Sequence, residues 1–297
     1  MSSRFRFDLK VILGWFCVFG SAFFFYLATI IVKYSSINGI DIDPAFFVFS
    51  RFLIGFITVL IVMMVTRKKI KIIKKRYLIG RTVFNCIAVY CFFMGVDLTS
   101  VSQANILNMT YPLFIAVFSW IFLKEQRDGF AVLMVILAFV GVWLILAPAT
   151  SDNMGFDMNS LWALASGVTA AIAIIYLNLS RQVHDTQTIL FVMFGLGTVI
   201  MYIAFMDKIH WPQSIQLPYL FFCSLFAIIG QYLLTIGFKY VTAVEGGIIS
   251  STRILLAALL GPFVVMDPYL SLSGWVGALL IFSGNVYLTM RKMHQSG

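Results

Sequence analysis

Ten runs of about twenty apolar residues follow one another along this chain. They cover residues 11–32, 45–66, 77–96, 103–123, 129–148, 160–180, 187–206, 218–238, 244–265 and 272–290. A helix needs about 20 such residues to cross the hydrocarbon of a bilayer. Inside that layer the backbone must satisfy its own hydrogen bonds, which helices do. The interruptions are short and marked by charge, Pro, Gly or Asn, so they leave no room for a soluble domain. The sequence therefore predicts an all-α membrane protein with ten transmembrane helices. The composition agrees: 61% of residues are hydrophobic and 11% charged, against roughly 25% charged in soluble proteins. The first run is too long for a signal-peptide core and lacks a small-residue cleavage site, so it reads as the first helix.

The formal net charge is +9, but its placement argues against a nucleic-acid partner. Much of it sits in one run, Arg67 to Arg76 (RKKIKIIKKR), between two apolar segments and without the interleaved aromatics of a nucleic-acid face. Such a run belongs beside an anionic cytoplasmic leaflet. With a cytoplasmic N-terminus, seventeen Lys and Arg fall in inside segments. Two, Lys33 and Lys208, fall outside, while Arg51 and Arg253 lie within spans. Asp41, Asp43, Asp97, Asp152, Asp157, Asp207 and Asp267 all fall outside. This asymmetry predicts cytoplasmic N- and C-termini and an even number of spans. Cys17, Cys86, Cys91 and Cys223 lie in apolar runs and read as small buried hydrophobes, with no disulfide, metal site or cofactor implied.

The chain also resembles itself. Residues 92–148 align with 234–290 at an offset of 142, pairing Gly95 with Gly237, Ile106 with Ile248, Leu113 with Leu255 and Ala116 with Ala258. Five helices per half flip the second copy, which predicts two inverted repeats, 1–150 and 151–297, with a site near the midplane at their interface.

Several stretches carry a family resemblance. GWFCVFGSAFFFYLATIIVK ends in Lys33, FFVFSRFLIG carries Arg51, and TSVSQANILNMTYPLFIAVFSWIFLKEQ closes with Leu123–Glu125; VLMVILAFVGVWLIL follows. Together they resemble the EamA-type branch of the drug/metabolite transporter superfamily over nearly the whole chain. The resemblance implies ten helices in two inverted five-helix repeats around a central cavity. Two departures stand out. Asp267 occupies the column of the second closing Glu. Arg253 and Glu245 resemble the branch that handles charged metabolites, including S-adenosylmethionine carriers.

Arg253 is the sharpest site candidate. It lies about 13 Å into its span, where an arginine costs roughly 2.5–3.5 kcal/mol. Gly246, Ser250, Arg253, Ala257 and Gly261 share one small, polar face. A guanidinium on such a wall suits an anionic group, which it grips bidentately; the alternative is an internal ion pair with Glu245 or a stack on an aromatic ring. Arg51 lies about 9 Å from the outer end of its helix. It either snorkels outward, pairs with an outer Asp, or serves gating or substrate contact. Glu245 complements the helix dipole in a first turn, or else serves proton coupling or contact with a cationic substrate. Asn85 shares a face with Arg81 and Ala88. Asn108 and Tyr111 align with Ser250 and Arg253 in the other repeat. Gln231, Tyr176 and Trp15 complete the set expected to line the cavity, or else to bridge helices. Arg81 itself is read with the 67–76 run as topology and lipid contact. Pro112 and Pro262 fall inside spans.

An enzyme would need a convergent nucleophile, base or metal constellation. His184, His210 and His294 all fall in loops or the tail, and no HExxH, GxSxG or paired intramembrane carboxylate occurs. A channel would need a symmetric ring of charges or carbonyls, and a passive scaffold leaves Arg253 unexplained. The expectation is a secondary transporter in a bacterial inner membrane, monomeric or homodimeric, whose partners are the lipid bilayer and a small-molecule substrate. That substrate is an anionic or zwitterionic metabolite such as an amino acid, a nucleotide-like metabolite or S-adenosylmethionine. Efflux of drugs or hydrophobic compounds is the alternative within the transporter class.

Overall fold

The computed structural model describes residues 9–122, 129–146, 158–241 and 243–296. Among these are eleven helices: α1 (Leu9–Ile37), α2 (Pro44–Thr66), α3 (Lys75–Leu98), α4 (Val101–Asn108), α5 (Tyr111–Phe122), α6 (Gly129–Leu146), α7 (Ser160–Arg181), α8 (Thr186–Ala204), α9 (Leu217–Gly237), α10 (Ala243–Val264) and α11 (Leu272–Ser296). Nine of the ten apolar runs coincide with one helix each. The run at 103–123 is divided between α4 and α5. Pro112 has no N–H to give to the carbonyl of Asn108, so the α-helical ladder fails there. Thr110 turns back on Leu107 instead, through its N–H (3.2 Å) and its hydroxyl (2.6 Å).

Six helices, α1, α2, α3, α7, α8 and α9, have the length and composition of membrane spans. Shorter apolar stretches occupy α6, α10 and α11. Large apolar side chains such as Phe16, Ile61, Met64, Trp143, Ile203 and Phe263 face outward, while Arg51, Arg81, Asn85, Asn108, Gln231 and Arg253 are buried. Water would penalise that exposed apolar surface; lipid does not.

The helices of the two halves pack on each other in exchanged pairs. The first helix of one half meets the third of the other: α1 on α9, and α3 on α7. Equivalent helices also meet, α2 on α8 and α6 on α11. All four pairs run antiparallel. Gly14 lies against Val241, and Gly237 against Val18; Gly80 faces Tyr176, and Gly95 faces Ala163. Phe52 sits on Gly197 and Phe56 on Gly195, while Gly141 faces Gly277 and Gly284 faces Ala138. Glycine at these points lets the backbones approach, as in other lipid-embedded helix pairs.

One end of the bundle is laced together by polar contacts. Asp43 caps α2 through the Ala45 N–H (2.8 Å). It also pairs with Lys208 at 3.0 Å and thereby raises the pKa of that ammonium. Lys33 donates to the Thr99 carbonyl at 2.5 Å, and Tyr34 to that of Val264 at 2.7 Å. Gln216 donates to the Asp41 carbonyl at 2.8 Å. The Asp267 carboxylate, 5% exposed, caps α4 from the opposite half. It accepts from the N–H groups of Val101 (3.3 Å) and Ser102 (2.8 Å) and from the Ser102 hydroxyl (3.0 Å). Its place in the family's column for a closing Glu thus has a structural use; Glu125, in the corresponding stretch of the first half, lies outside the described residues. At the other end, His184 Nε2 accepts from the N–H groups of Ile73 (3.1 Å) and Lys74 (3.4 Å), tying the basic loop to the α7–α8 turn.

The Asp267 cap joins two halves that share no chain connection at that point. Asp267→Ala strands the Val101 and Ser102 N–H groups at a buried helix end, while the Ser102 hydroxyl keeps the Ala257 carbonyl (2.8 Å), and is expected to lower stability by about 1–3 kcal/mol. Thermal denaturation of the purified protein in detergent measures this, and an unchanged melting temperature would contradict the cap.

Candidate functional site

A cavity of about 100 Å³ lies between the two halves. Its walls come from α1, α2, α3, α4, α5, α7, α9 and α10. Small residues on α1 and α7, among them Ser21, Ala22, Ala170 and Ala173, make the space. Phe25, Val89, Phe92, Ile174 and Leu234 make part of the wall apolar.

Three arginines reach the cavity: Arg51 from α2, Arg81 from α3 and Arg253 from α10. Each is buried, at 4%, 2% and 4% exposure. No Asp or Glu lines the cavity among the described residues. The one ion pair among those residues is Lys208 with Asp43, at the laced end. Among the described residues, no carboxylate pairs with these guanidiniums.

Arg51 and Arg253 are held in the same manner. Arg253 donates from Nη2 to Asn108 Oδ1. The other atom of that amide is fixed as well: Asn108 Nδ2 donates to Ser166 Oγ (2.8 Å), whose own proton goes to the Ala163 carbonyl (2.6 Å). Arg51 donates from Nη2 to Gln231 Oε1 at 3.2 Å. Gln231 Nε2 donates to Thr235 Oγ1 (3.3 Å), whose proton goes back to the Gln231 carbonyl (2.8 Å). In each case a hydroxyl fixes an amide, and the amide points its oxygen at the arginine. Each guanidinium also lies over a ring, Arg51 over Phe25 at 5.4 Å and Arg253 over Phe92 at 5.1 Å. A cation over a ring face is attracted by the ring quadrupole.

The sequence reading meets the structure unevenly. Arg253, Ser250, Asn108, Tyr111, Asn85, Gln231 and Arg51 all line the cavity. Of the alternatives open for Arg51, neither snorkelling nor an outer Asp is seen; it turns inward to Gln231. Two residues are corrections. Tyr176 is not on the cavity wall: it stacks on Phe84 (6.0 Å, 13° between planes) in the space left by the missing side chain of Gly80. Trp15 is 37% exposed on the outer side of α1, because the inner face there is taken by contact with α9. The Glu245 side chain lies outside the described residues.

Arg81 is the residue that the sequence reading missed. It was assigned to the basic run and lipid contact, yet it is among the most buried side chains of the protein. It lies about one turn into α3 beyond the exposed part of the run, on the helix most enclosed by neighbours. The signal was present: Arg81, Asn85 and Ala88 share one face, and all three line the cavity.

Three comparisons bear on this architecture. The sequence pattern described as the EamA-like transporter family matches residues 12–147 and again residues 158–290. An "Uncharacterized transporter" of Helicobacter pylori is 26% identical over 219 residues, covering 71% of this chain and 72% of that one. The human "Solute carrier family 35 member G1" is 25% identical over 235 residues, covering 74% of this chain and 64% of that one. The "Pseudopaline exporter CntI" of Pseudomonas aeruginosa is 23% identical over 167 residues, covering 56% and 58%. A crystal structure superposes with a TM-score of 0.63 at 18% identity, covering 97% of this chain and 99% of that one. At that identity the likeness is one of fold.

The amide that holds Arg253 provides a local test. Asn108→Ala removes the guanidinium's acceptor and is expected to cost about 1–3 kcal/mol. Asn108→Gln restores an acceptor and recovers part of the loss. Thermal melting of the two variants checks this, and equal melting temperatures for wild type and Asn108→Ala would contradict the bond.

Proposed function

This chain belongs to the EamA-like transporter family, and from that premise we propose that it is a secondary transporter carrying a small, negatively charged metabolite across a bacterial inner membrane by alternating access. The membrane arrangement proposed with it is ten spans in two inverted five-helix repeats, 1–150 and 151–297, with both chain ends in the cytoplasm. The antiparallel packing of α2 on α8 and of α6 on α11 supports inversion, since a two-fold relating such equivalents lies across the helices. The basic loop and the Asp-rich segments, at opposite ends of the bundle, support the orientation.

The observation that carries the substrate reading is the cavity's charge: three buried arginines and no lining carboxylate among the described residues. An arginine at the centre of a span costs roughly 2.5–3.5 kcal/mol on insertion scales. An anionic substrate repays that cost only while it is bound, which is what a carrier site requires. Among the expected substrates this favours organic acids and nucleotide-like metabolites. S-adenosylmethionine would bring a further positive charge into a cationic cavity, and an amino acid would bring an ammonium. Relatives whose names include a pseudopaline exporter and a riboflavin transporter support carriage of an organic molecule. Efflux of neutral hydrophobic compounds finds apolar wall in Phe25, Phe92 and Leu234, but it leaves the arginines without purpose. Catalysis is not proposed.

The broken helix supports the carrier reading as well. Discontinuous helices place half-helix ends at the midplane sites of many transporters. Here the α4–α5 break puts Asn108, Met109 and Tyr111 on the cavity wall. Asn285 of α11 donates to the Met109 carbonyl (2.9 Å) and to Ser251 (2.9 Å), so the break is held open by design of the neighbouring half.

Reconstituted vesicles test the proposal. Organic acids, nucleotides, amino acids and S-adenosylmethionine are offered to wild type and to Arg253→Ala. The anionic classes are expected to exchange through wild type and to fall by roughly tenfold or more in the variant. Undiminished exchange by a folded Arg253→Ala would remove the anion-binding role of the cavity.

A further inference from the structure

Arg81 differs from the other two arginines. Arg51 has the Gln231 oxygen and the Phe25 ring; Arg253 has the Asn108 oxygen and the Phe92 ring. Arg81, 2% exposed, makes no hydrogen bond, ion pair or ring contact among the described residues. One turn along the same helix face, Asn85 is 6% exposed and leaves its Nδ2 without an acceptor. The Nε atoms of Arg51 and Arg253 are unpaired too. Four nitrogen donors buried on lining residues thus lack an acceptor among the described residues. The two amide oxygens on the wall that bond to arginine, from Asn108 and Gln231, are already spent.

Charge sharpens the point. An amide oxygen satisfies a hydrogen bond of a guanidinium but does not cancel its charge. Three lining guanidiniums leave three formal positive charges around one cavity. A monoanion would compensate one of them. A zwitterion would compensate none in net and would bring an ammonium close to the arginines. A molecule with two or more negative charges offers both the charge and the acceptor oxygens that the unpaired donors lack, and the planar fork of arginine matches carboxylate and phosphate oxygens alike.

We propose, building on the carrier reading, that the cavity takes a multiply charged organic anion bearing two carboxylates or a phosphate monoester, and that Arg81 with Asn85 binds its second negative charge. Arg51 and Arg253, already positioned by amides and rings, hold the first. Arg81 then sets the charge of the substrate rather than the stability of the bundle.

The test uses four probes of similar size: succinate, glycerol 3-phosphate, butyrate and serine. Each is assayed for counterflow in proteoliposomes and for thermal stabilisation of the detergent-solubilised protein, with wild type, Arg81→Gln and Arg81→Lys. Wild type is expected to exchange and be stabilised by succinate or glycerol 3-phosphate about tenfold or more better than by butyrate or serine. Whichever dianion dominates identifies carboxylate or phosphate as the group recognised. Arg81→Gln is expected to invert the ratio towards butyrate, and Arg81→Lys to keep the dianion preference at reduced affinity. A merely structural Arg81 would lower all four together. Exchange of butyrate or serine by wild type as good as that of either dianion, or an unchanged ratio in Arg81→Gln, overturns the charge assignment and leaves the carrier reading standing. Dianion stabilisation without any exchange sinks the carrier reading and leaves the charge assignment standing. Neither exchange nor stabilisation by any probe sinks both.

Discussion

The structure depends on keeping guanidiniums buried on a wall that, among the described residues, carries no carboxylate. Arg51 and Arg253 are each held by an amide oxygen whose direction is fixed by a hydroxyl one step further out. This arrangement differs in kind from a buried ion pair. A carboxylate would neutralise the arginine permanently and leave nothing for a ligand to do. An amide positions the side chain and leaves its charge available. The rings of Phe25 and Phe92 add attraction on one face and close that face to water.

The rest of the bundle makes that space possible. Glycine and alanine at the helix crossings bring the two halves into close contact around the cavity, with Phe52 and Phe194 packed into the spaces they leave. Exchanged packing puts a wall from each half opposite a wall from the other, so Asn108 of α4 reaches Arg253 of α10, and Arg51 of α2 reaches Gln231 of α9. Both bonds cross the interface between the halves. In the proposed alternating-access cycle, a rocking of one half against the other stretches or breaks them, and this would couple the site to the shape of the whole protein. The Asp267 cap and the Lys33, Tyr34 and Gln216 contacts close the far end. An opening motion at that end has to part these contacts first.

Much of this was legible in the sequence because lipid is a demanding solvent. Apolar runs of spanning length leave few options, and nine of ten matched single helices. Arg253 stood out because its cost in a span is high, and repeat alignment brought Asn108 and Tyr111 forward with it. The misses have physical causes. Arg81 follows a run of exposed cations in sequence, and charge counting does not tell which way a helix turns. The face it shares with Asn85 and Ala88 held the information. Trp15 and Tyr176 sit in helices that do line the cavity, but their direction is set by close helix contacts that a single sequence does not display. The α4–α5 break was foreshadowed by Pro112, whose missing N–H made a discontinuity available without fixing its form. Asp267 was visible as a departure from the family column; its partner Ser102 lies 165 residues away.

The central claim is a water-accessible cavity whose field, set by three arginines with no lining carboxylate among the described residues, is positive at its centre. Its most direct measurement places one cysteine at position 253 in a protein whose four native cysteines, Cys17, Cys86, Cys91 and Cys223, have been replaced by serine or alanine. The rates of modification by an anionic and a cationic methanethiosulfonate reagent of similar size are then compared, normalised to their rates with a free thiol. With Arg51 and Arg81 still in the wall, the account predicts that the anionic reagent reacts faster, and that added salt narrows the difference. Equal rates, faster reaction of the cationic reagent, or no reaction with either would contradict it.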